Sequence, residues 1–516
     1  MDQIISSCPD KGESALEAER KKEGLYMTYL LGIDFGGGAA KATLLEGTGK
    51  IVAESTVEYP TLYTEDGGCE QSPSDWEAAL LCNTGEILQK SGVNPKDIVG
   101  VALDSATHTF LLADENLQPL SRAIHWTDTR SRAEADALRR EKGEEIFSKT
   151  FHKPDTIWTL PQLLWLRRNR SALFRRARYV FFEKDYLRYL LTGVYATDYI
   201  EAEGSMLFNC NEMRWDEALC ALAGITSDML PPVKNPTDIV GKITPKAAEM
   251  TGLAEGTAVI CGTTDTALEV LASGAISKGD TTVKLATAGR ICVMTDEARP
   301  DRHLVNYSHV VKGLWYPGTA TKAAASSYRW YRDTFGGDYA EMDKAAAEVP
   351  VGAEGLLYHP YLKGELTPYA DPTLCASFTG MRATHTKAHF SRSVLEGVAL
   401  SLLDSKVYLE SVGIQVAKTA TLIGGGAKSL LWSQIVADAL SMELRITQSS
   451  DSSLGAAMLA GVALGVFKSF DEAVKLTIKT ERTVMPIREN TEKYQKLFAK
   501  YKKIQKALAE ICRETQ

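Results

Sequence analysis

No two cysteines in this sequence stand as a CxxC pair, and the nine that occur, an odd number, are scattered from Cys8 to Cys512. That argues against a disulfide framework and points to a reducing compartment, with most thiols acting as small core hydrophobes. Runs of five or more basic residues are missing and the formal net charge is −8. Nucleic acid or an anionic membrane is therefore not expected as the main partner. A phosphorylated ligand remains open, because local amide dipoles can bind one in an acidic protein. No apolar run reaches the roughly 18 residues of a spanning helix. The opening residues 1–28 lack the apolar centre of a secretory signal and read as a polar, loosely ordered extension. A cytoplasmic location is the expectation by elimination. Two phosphate motifs are also lacking. Ala427 stands before Lys428 where a Walker A loop needs glycine, and no G-x-G-x-x-G opens the chain.

What is present suits a globular protein. With 516 residues and 44% apolar content, two large domains or a few smaller ones are expected. Tyr29–Asp34 is a short apolar run ending in an acid. The glycine turn Gly36-Gly37-Gly38 and a second apolar run, Lys41–Leu45, follow. Strand, tight turn, strand is the natural reading, with glycine supplying positive φ. Ile98–Asp104 and Thr109–Ala113 read as further strands, with helical periodicity in Ser74–Leu88 and Thr129–Lys142. Such alternation indicates an α/β domain. A similar pattern restarts at Ala258–Cys261, with strands expected at Thr281–Leu285, Ile291–Met294 and Ala420–Ile423. Two halves that each place a strand ahead of a glycine turn suggest two related domains, although sequence similarity between them is too low to define a repeat. The lysine-rich segment Thr491–Arg513 reads as a helix on the surface.

Three turns have small residues that let backbone N–H groups approach an anion: Gly36–Gly38, Ala286-Thr287-Ala288-Gly289 and Gly424-Gly425-Gly426. Each alone is as readily a plain turn. Asp34 and Asp265 end predicted apolar strands, where a carboxylate can hold Mg²⁺ through water or act as a base. Asp265 could equally cap the helix expected over Thr266–Ala272. His385 and His389 share an i, i+4 spacing but lack the acid of an H-E-x-x-H site, which argues against a metal. His108, in Asp104–Thr109, lies on a predicted loop, where histidine more often serves as a hydrogen-bonding residue.

The segment Phe378–Glu396 carries Gly380-Met381, seven residues, His389-Phe390, two residues, then Ser393-Val394-Leu395-Glu396. This resembles the second signature of the FGGY carbohydrate kinases. Other stretches are similar to that family in the expected order: Leu31–Leu45, Trp126–Arg130, Lys184–Asp198, Pro360–Pro368, and two later segments that look like its adenosine-binding region. The resemblance spans Tyr29 to about Pro486. It implies two actin-like (ribonuclease H-like) α/β domains with an interdomain cleft, here residues 29–271 and 272–488, followed by a C-terminal helix over 489–516. It also implies an ATP-dependent kinase for a sugar hydroxyl, most like the xylulose-specific members. Asp265 would be the base, and Asp34 would place Mg²⁺ through water. Sugar would meet Thr107, His108, Asp128 and Thr266. ATP would meet Gly36, Gly37, Thr287, Gly289, Gly425, Gly426 and Ala427. The partners implied are sugar and ATP, with no nucleic acid and no membrane; the oligomeric state stays open, a homodimer included. The family hairpin commonly carries Gly-Thr-Ser where this chain has Gly36–Gly38, and a lysine where it has Gln162. The second turn has Ala286 where glycine is common, and Thr263-Thr264 precede Asp265 instead of glycines. A kinase for another ketose, a polyol or an aldonate is the alternative within the class, and an actin-like ATP-binding sugar sensor the alternative outside it.

Overall fold

The computed structural model describes Gly24 and residues 27–514. Most of the expected N-terminal extension thus lies outside the described residues. The first sheet grows from the predicted hairpin. Strand β1 (Tyr29–Phe35) pairs antiparallel with β2 (Ala39–Glu46), which pairs with β3 (Ile51–Glu58). On its other edge β1 runs parallel to β4 (Ile98–Ser105). An outer strand, β5 (Ile239–Lys242), lies antiparallel to β6 (Ala258–Ile260), which runs parallel to β4, as does the short β7 (Thr263–Thr264). The order is β5-β6-β4-β1-β2-β3. Six of the seven β1 residues are buried, as a strand covered on both faces requires.

The second sheet repeats the plan. It contains β8 (Thr281–Leu285), β9 (Gly289–Val293), β10 (Thr419–Ile423), β11 (Glu443–Thr447) and β12 (Thr480–Val484), in the order β9-β8-β10-β11-β12. A hairpin opens it, two parallel strands follow on one side, and an antiparallel strand closes that edge. The relation between the halves, too faint to read as a sequence repeat, is plain in this shared strand order.

Three helices frame the space between the sheets. Helix α1 (Asp265–Ala272) follows the first sheet's last strand. Helix α2 (Lys387–Ser411) packs in the second core. Helix α3 (Ser452–Ala463) comes from the second half of the chain yet lies against β1 and α1. Its small residues permit this. A Cβ on Gly455 would sit 2.2 Å from the Leu268 carbonyl oxygen, and one on Gly32 of β1 would sit 1.9 Å from that of Ser453. The opposing atoms are backbone and have no room to yield. Gly455→Ala should therefore destabilise the protein by about 1–3 kcal/mol, the range for forced overpacking. Thermal unfolding measures this; an unchanged midpoint would show that the crossing is looser than described.

Two sequence readings are corrected. Lysine content suggested a C-terminal helix lying on the surface. Helix α4 (Arg488–Glu514) instead buries one stripe, including Tyr494, Tyr501 and Ala509, in the second core. Tyr494 donates to Glu396 (2.9 Å), which also pairs with Arg392 (2.7 Å). Arg392 and Glu396 of the signature segment thus anchor this helix through Tyr494. His389 belongs to the capping box that starts α2. The second correction concerns Gly36–Gly38, none of which has positive φ. A Cβ on Gly38 would meet nothing within 4 Å, so packing does not demand glycine there. Gly424 is the turn glycine that does need its φ, +93°, with the Leu285 carbonyl oxygen 2.8 Å from where a Cβ would be.

Candidate active site

The two sheets face one another across a cavity of about 910 Å³, with Asp34 and Lys41 from the first and Lys284, Gly425 and Ala427 from the second among its lining. Asp265 enters it from the first turn of α1. The helix is capped by Thr264, whose side chain accepts from the Ala267 N–H, so Asp265 is not needed as the cap. Its Oδ1 accepts from Thr107 Oγ1 (2.6 Å), the Thr266 N–H (2.6 Å) and Thr266 Oγ1 (3.2 Å). All three bonds hold one oxygen, which orients the carboxylate and leaves Oδ2 for a proton.

Asp34 and Asp104 end the parallel strands β1 and β4 and stand opposite one another in register. Asp104 carries the same sequence signal as Asp34, an acid closing an apolar run, and joins the site beside it. Burial, then the nearby Asp451, raises the Asp34 carboxyl to about 7. Burial and Asp34 push Asp104 well above the usual carboxylate range. Lys41 extends from β2 and pairs with Asp451 at 2.5 Å. One Asp34 oxygen and both Asp104 oxygens are buried with no partner but each other, the two carboxyl groups sharing a hydrogen bond. Such a surplus of desolvated carboxylate fits a divalent cation. No three Asp, Glu, His or Cys among the described residues converge as a direct ligand set.

A second cavity of about 450 Å³ is lined by Thr287, Tyr328, Arg329, Gly426, Ser429 and Trp432, among others. Gly425 and Lys428 border both cavities. The structure thus brings Thr287, Gly425, Gly426 and Ala427 together around the two spaces. Gly36, Gly37 and Gly289 line neither. Gly289 is fixed by packing, since a Cβ there would come 2.8 Å from Thr321 Oγ1. The Gly37 carbonyl accepts from Thr61 (2.9 Å) and Gln71 (3.2 Å).

The sugar-side residues are more heavily engaged than the sequence suggested. His108 is buried with φ of +69°. Its Nδ1 lies 3.0 Å from Glu201 and its Nε2 2.7 Å from the Tyr307 hydroxyl. Burial lowers its pKa to about 3, so the ring is neutral, donating from Nδ1 and accepting at Nε2. Asp128 accepts from the Cys69 N–H (2.8 Å) and pairs with Arg130 (2.7 Å). Tyr307 and Glu201 lie 199 and 93 residues from His108, so no local pattern announced them.

Residues 29–272 match the N-terminal domain of the FGGY family of carbohydrate kinases, and residues 274–464 its C-terminal domain. The chain belongs to this family. It is 34% identical over 483 residues to a xylulose kinase of Bacillus subtilis, covering 93% of this chain and 97% of that one. A gluconokinase of the same organism is 30% identical over 487 residues, covering 91% and 94%. The crystal structure of a xylulose kinase from Rhodospirillum rubrum superimposes with a TM-score of 0.86 at 27% identity, over 94% of this chain and all of that one. The protein is therefore a carbohydrate kinase with the two-domain, actin-like FGGY fold. Among the described residues no helix is long and apolar enough to cross a membrane.

Proposed function

We propose that this FGGY kinase transfers the γ-phosphate of ATP to a hydroxyl of a ketopentose such as xylulose, with Asp265 as the base. The observation that carries this is the Asp265 carboxylate. One oxygen is fixed by Thr107 and Thr266, the other is free, and the cleft it enters also holds the Asp34 carboxylate and the Gly425–Ala427 turn. A sugar hydroxyl held there would lose its proton to Oδ2 as it attacks in line. Positioning and charge neutralisation supply most of the rate in such transfers. Asp34, with Asp104 beside it, would hold Mg²⁺ through water; the ion supplies charge neutralisation on the terminal phosphates when bound. N–H groups of Gly37, Thr287, Gly425 and Gly426 are the proposed anion donors; those of Gly36, Gly289 and Ala427 are already given to Ala39, Thr321 and Gly424. Two sheets that can close on each other would exclude water, the competing nucleophile. The ketopentose is preferred because a xylulose kinase is the relative at 34% identity; a gluconokinase at 30% supports an aldonate as the second reading. A coupled ADP assay over ketoses, polyols and aldonates separates them: the acceptor with the highest kcat/KM is the substrate, and a best acceptor other than a ketopentose overturns the first reading.

His108, Asp128, Thr107 and Thr266 remain the proposed sugar contacts. For His108 this requires Nε2 to exchange the Tyr307 hydroxyl for one of the sugar. His108→Ala would then strand a buried hydroxyl, at a cost of about 1–3 kcal/mol, or roughly 5- to 150-fold in kcat/KM for sugar. The KM for ATP should hold steady. Paired saturation curves test this; a shift in ATP saturation alone would place the sugar elsewhere.

A further inference from the structure

Arg290 follows directly on the second phosphate turn, as the second residue of β9. Alternate residues of this strand face opposite ways. Ile291 and Val293 enter the second core, whereas Cys292 packs in the cluster shared with α1 and α3. Arg290 lies on the Cys292 face, towards the first sheet. Its register partner across the hairpin, Lys284, reaches Glu269 of α1 at 2.6 Å, one turn beyond Asp265. The hairpin therefore offers two cations to the helix that carries the base; Glu269 pairs with Lys284 and acts on Arg290 only through space.

The Arg290 guanidinium has its Nε and Nη2 buried without a hydrogen-bond partner among the described residues. It stands 5.7 Å from the Tyr316 ring centroid. Tyr316 stacks on Tyr307, whose hydroxyl meets His108. Gly318 makes the room, since a Cβ there would come 3.2 Å from Arg290 Nε. A guanidinium does not discharge at neutral pH, so its two buried N–H groups on this half-buried side chain are ready to receive an anion. Its planar fork matches the oxygens of a phosphoryl group or a carboxylate. No Asp or Glu pairs with it among the described residues.

We propose that Arg290 is an oxyanion receptor of this active site, taking either the phosphoryl group in transfer or a carboxylate on the acceptor. The assignment rests on the kinase reading and adds to it a residue that the family resemblance did not single out. The acceptor with the best turnover is assayed with wild type, Arg290→Met and Arg290→Lys, together with gluconate as acceptor or competitive inhibitor. If the phosphoryl group is the anion, Arg290→Met lowers kcat on every acceptor by about 10²-fold or more, comparable to loss of one oxyanion donor. Acceptor KM then changes little, and lysine recovers part of the rate. If the anion is a carboxylate, the KM or inhibition constant for gluconate rises at least about tenfold, while kcat on a neutral ketose stays put. Changes below about tenfold in both quantities overturn the proposal. Should Arg290→Met not fold, Arg290→Gln takes its place under the same tenfold threshold. Failure of the kinase reading would appear separately, as wild-type protein that releases no ADP with any acceptor. In that event calorimetric titration of inorganic phosphate and gluconate into wild type and variant decides, and equal affinities overturn it.

Discussion

Asp265→Asn should retain ATP and sugar binding and lose about 10²–10⁴ in kcat, the usual contribution of a general base. The amide keeps the size and planarity of the carboxyl group. Oriented with its oxygen at the Oδ1 position, it preserves the bonds from Thr107 and Thr266. That orientation places the NH₂ at the Oδ2 position, a donor where the mechanism needs an acceptor. The substitution thus removes the proton acceptor while leaving the frame around it. Thr264 caps α1, so the helix should persist and thermal stability should move little. Steady-state kinetics with binding isotherms separate the effects. A variant turning over within about threefold of wild type would remove Asp265 from the mechanism.

Asp34→Ala should cost about 10²-fold in kcat, or roughly 3 kcal/mol, because a cation offsetting phosphate charge contributes several kcal/mol and here would lose its protein anchor. The Mg²⁺ titration should shift to higher concentration, with sugar KM nearly constant. The buried setting strengthens the expectation. Asp34, Asp104 and Asp451 crowd together, with Lys41 as the nearby cation, so removing one carboxylate relieves repulsion and the variant should fold. Loss of activity with intact folding is the diagnostic pair. An unchanged Mg²⁺ titration would move the metal away from Asp34.

The elements that sequence disclosed were those with a local physical cause. Apolar runs closed by Asp34 and Asp104 became parallel neighbours, and Thr281–Leu285 is a strand with the bounds its β-branched run suggested. The core of the site was legible for the same reason: an acid at a strand end beside a turn of small residues. Features made by distant chain segments were not. The contact of α3 with Gly32 joins residues more than 400 apart, and strand order within the two sheets, not sequence similarity, relates the halves. Tyr307 reaches His108 from the other half of the chain, so the sequence suggested a hydrogen-bonding loop histidine without naming the partners that engage both its nitrogens. The buried stripe of α4 was hidden by its lysines, although its 3.6-residue spacing was there to read. Arg290 carried no motif at all; only its two buried nitrogens without a hydrogen-bond partner mark it.

The central claim, that a sugar hydroxyl receives the γ-phosphate of ATP in this cleft, is tested most directly by one coupled assay of ADP release. Purified protein is given MgATP with and without each sugar of the panel, and the product is weighed by mass spectrometry. The account predicts slow ADP release from ATP alone and at least about 10²-fold faster release with the right sugar, in the range that positioning of the acceptor supplies. One phosphate ester should form per ADP, and Asp265→Asn should abolish the stimulation. ADP release that is indifferent to every sugar, or that yields only inorganic phosphate, would contradict it.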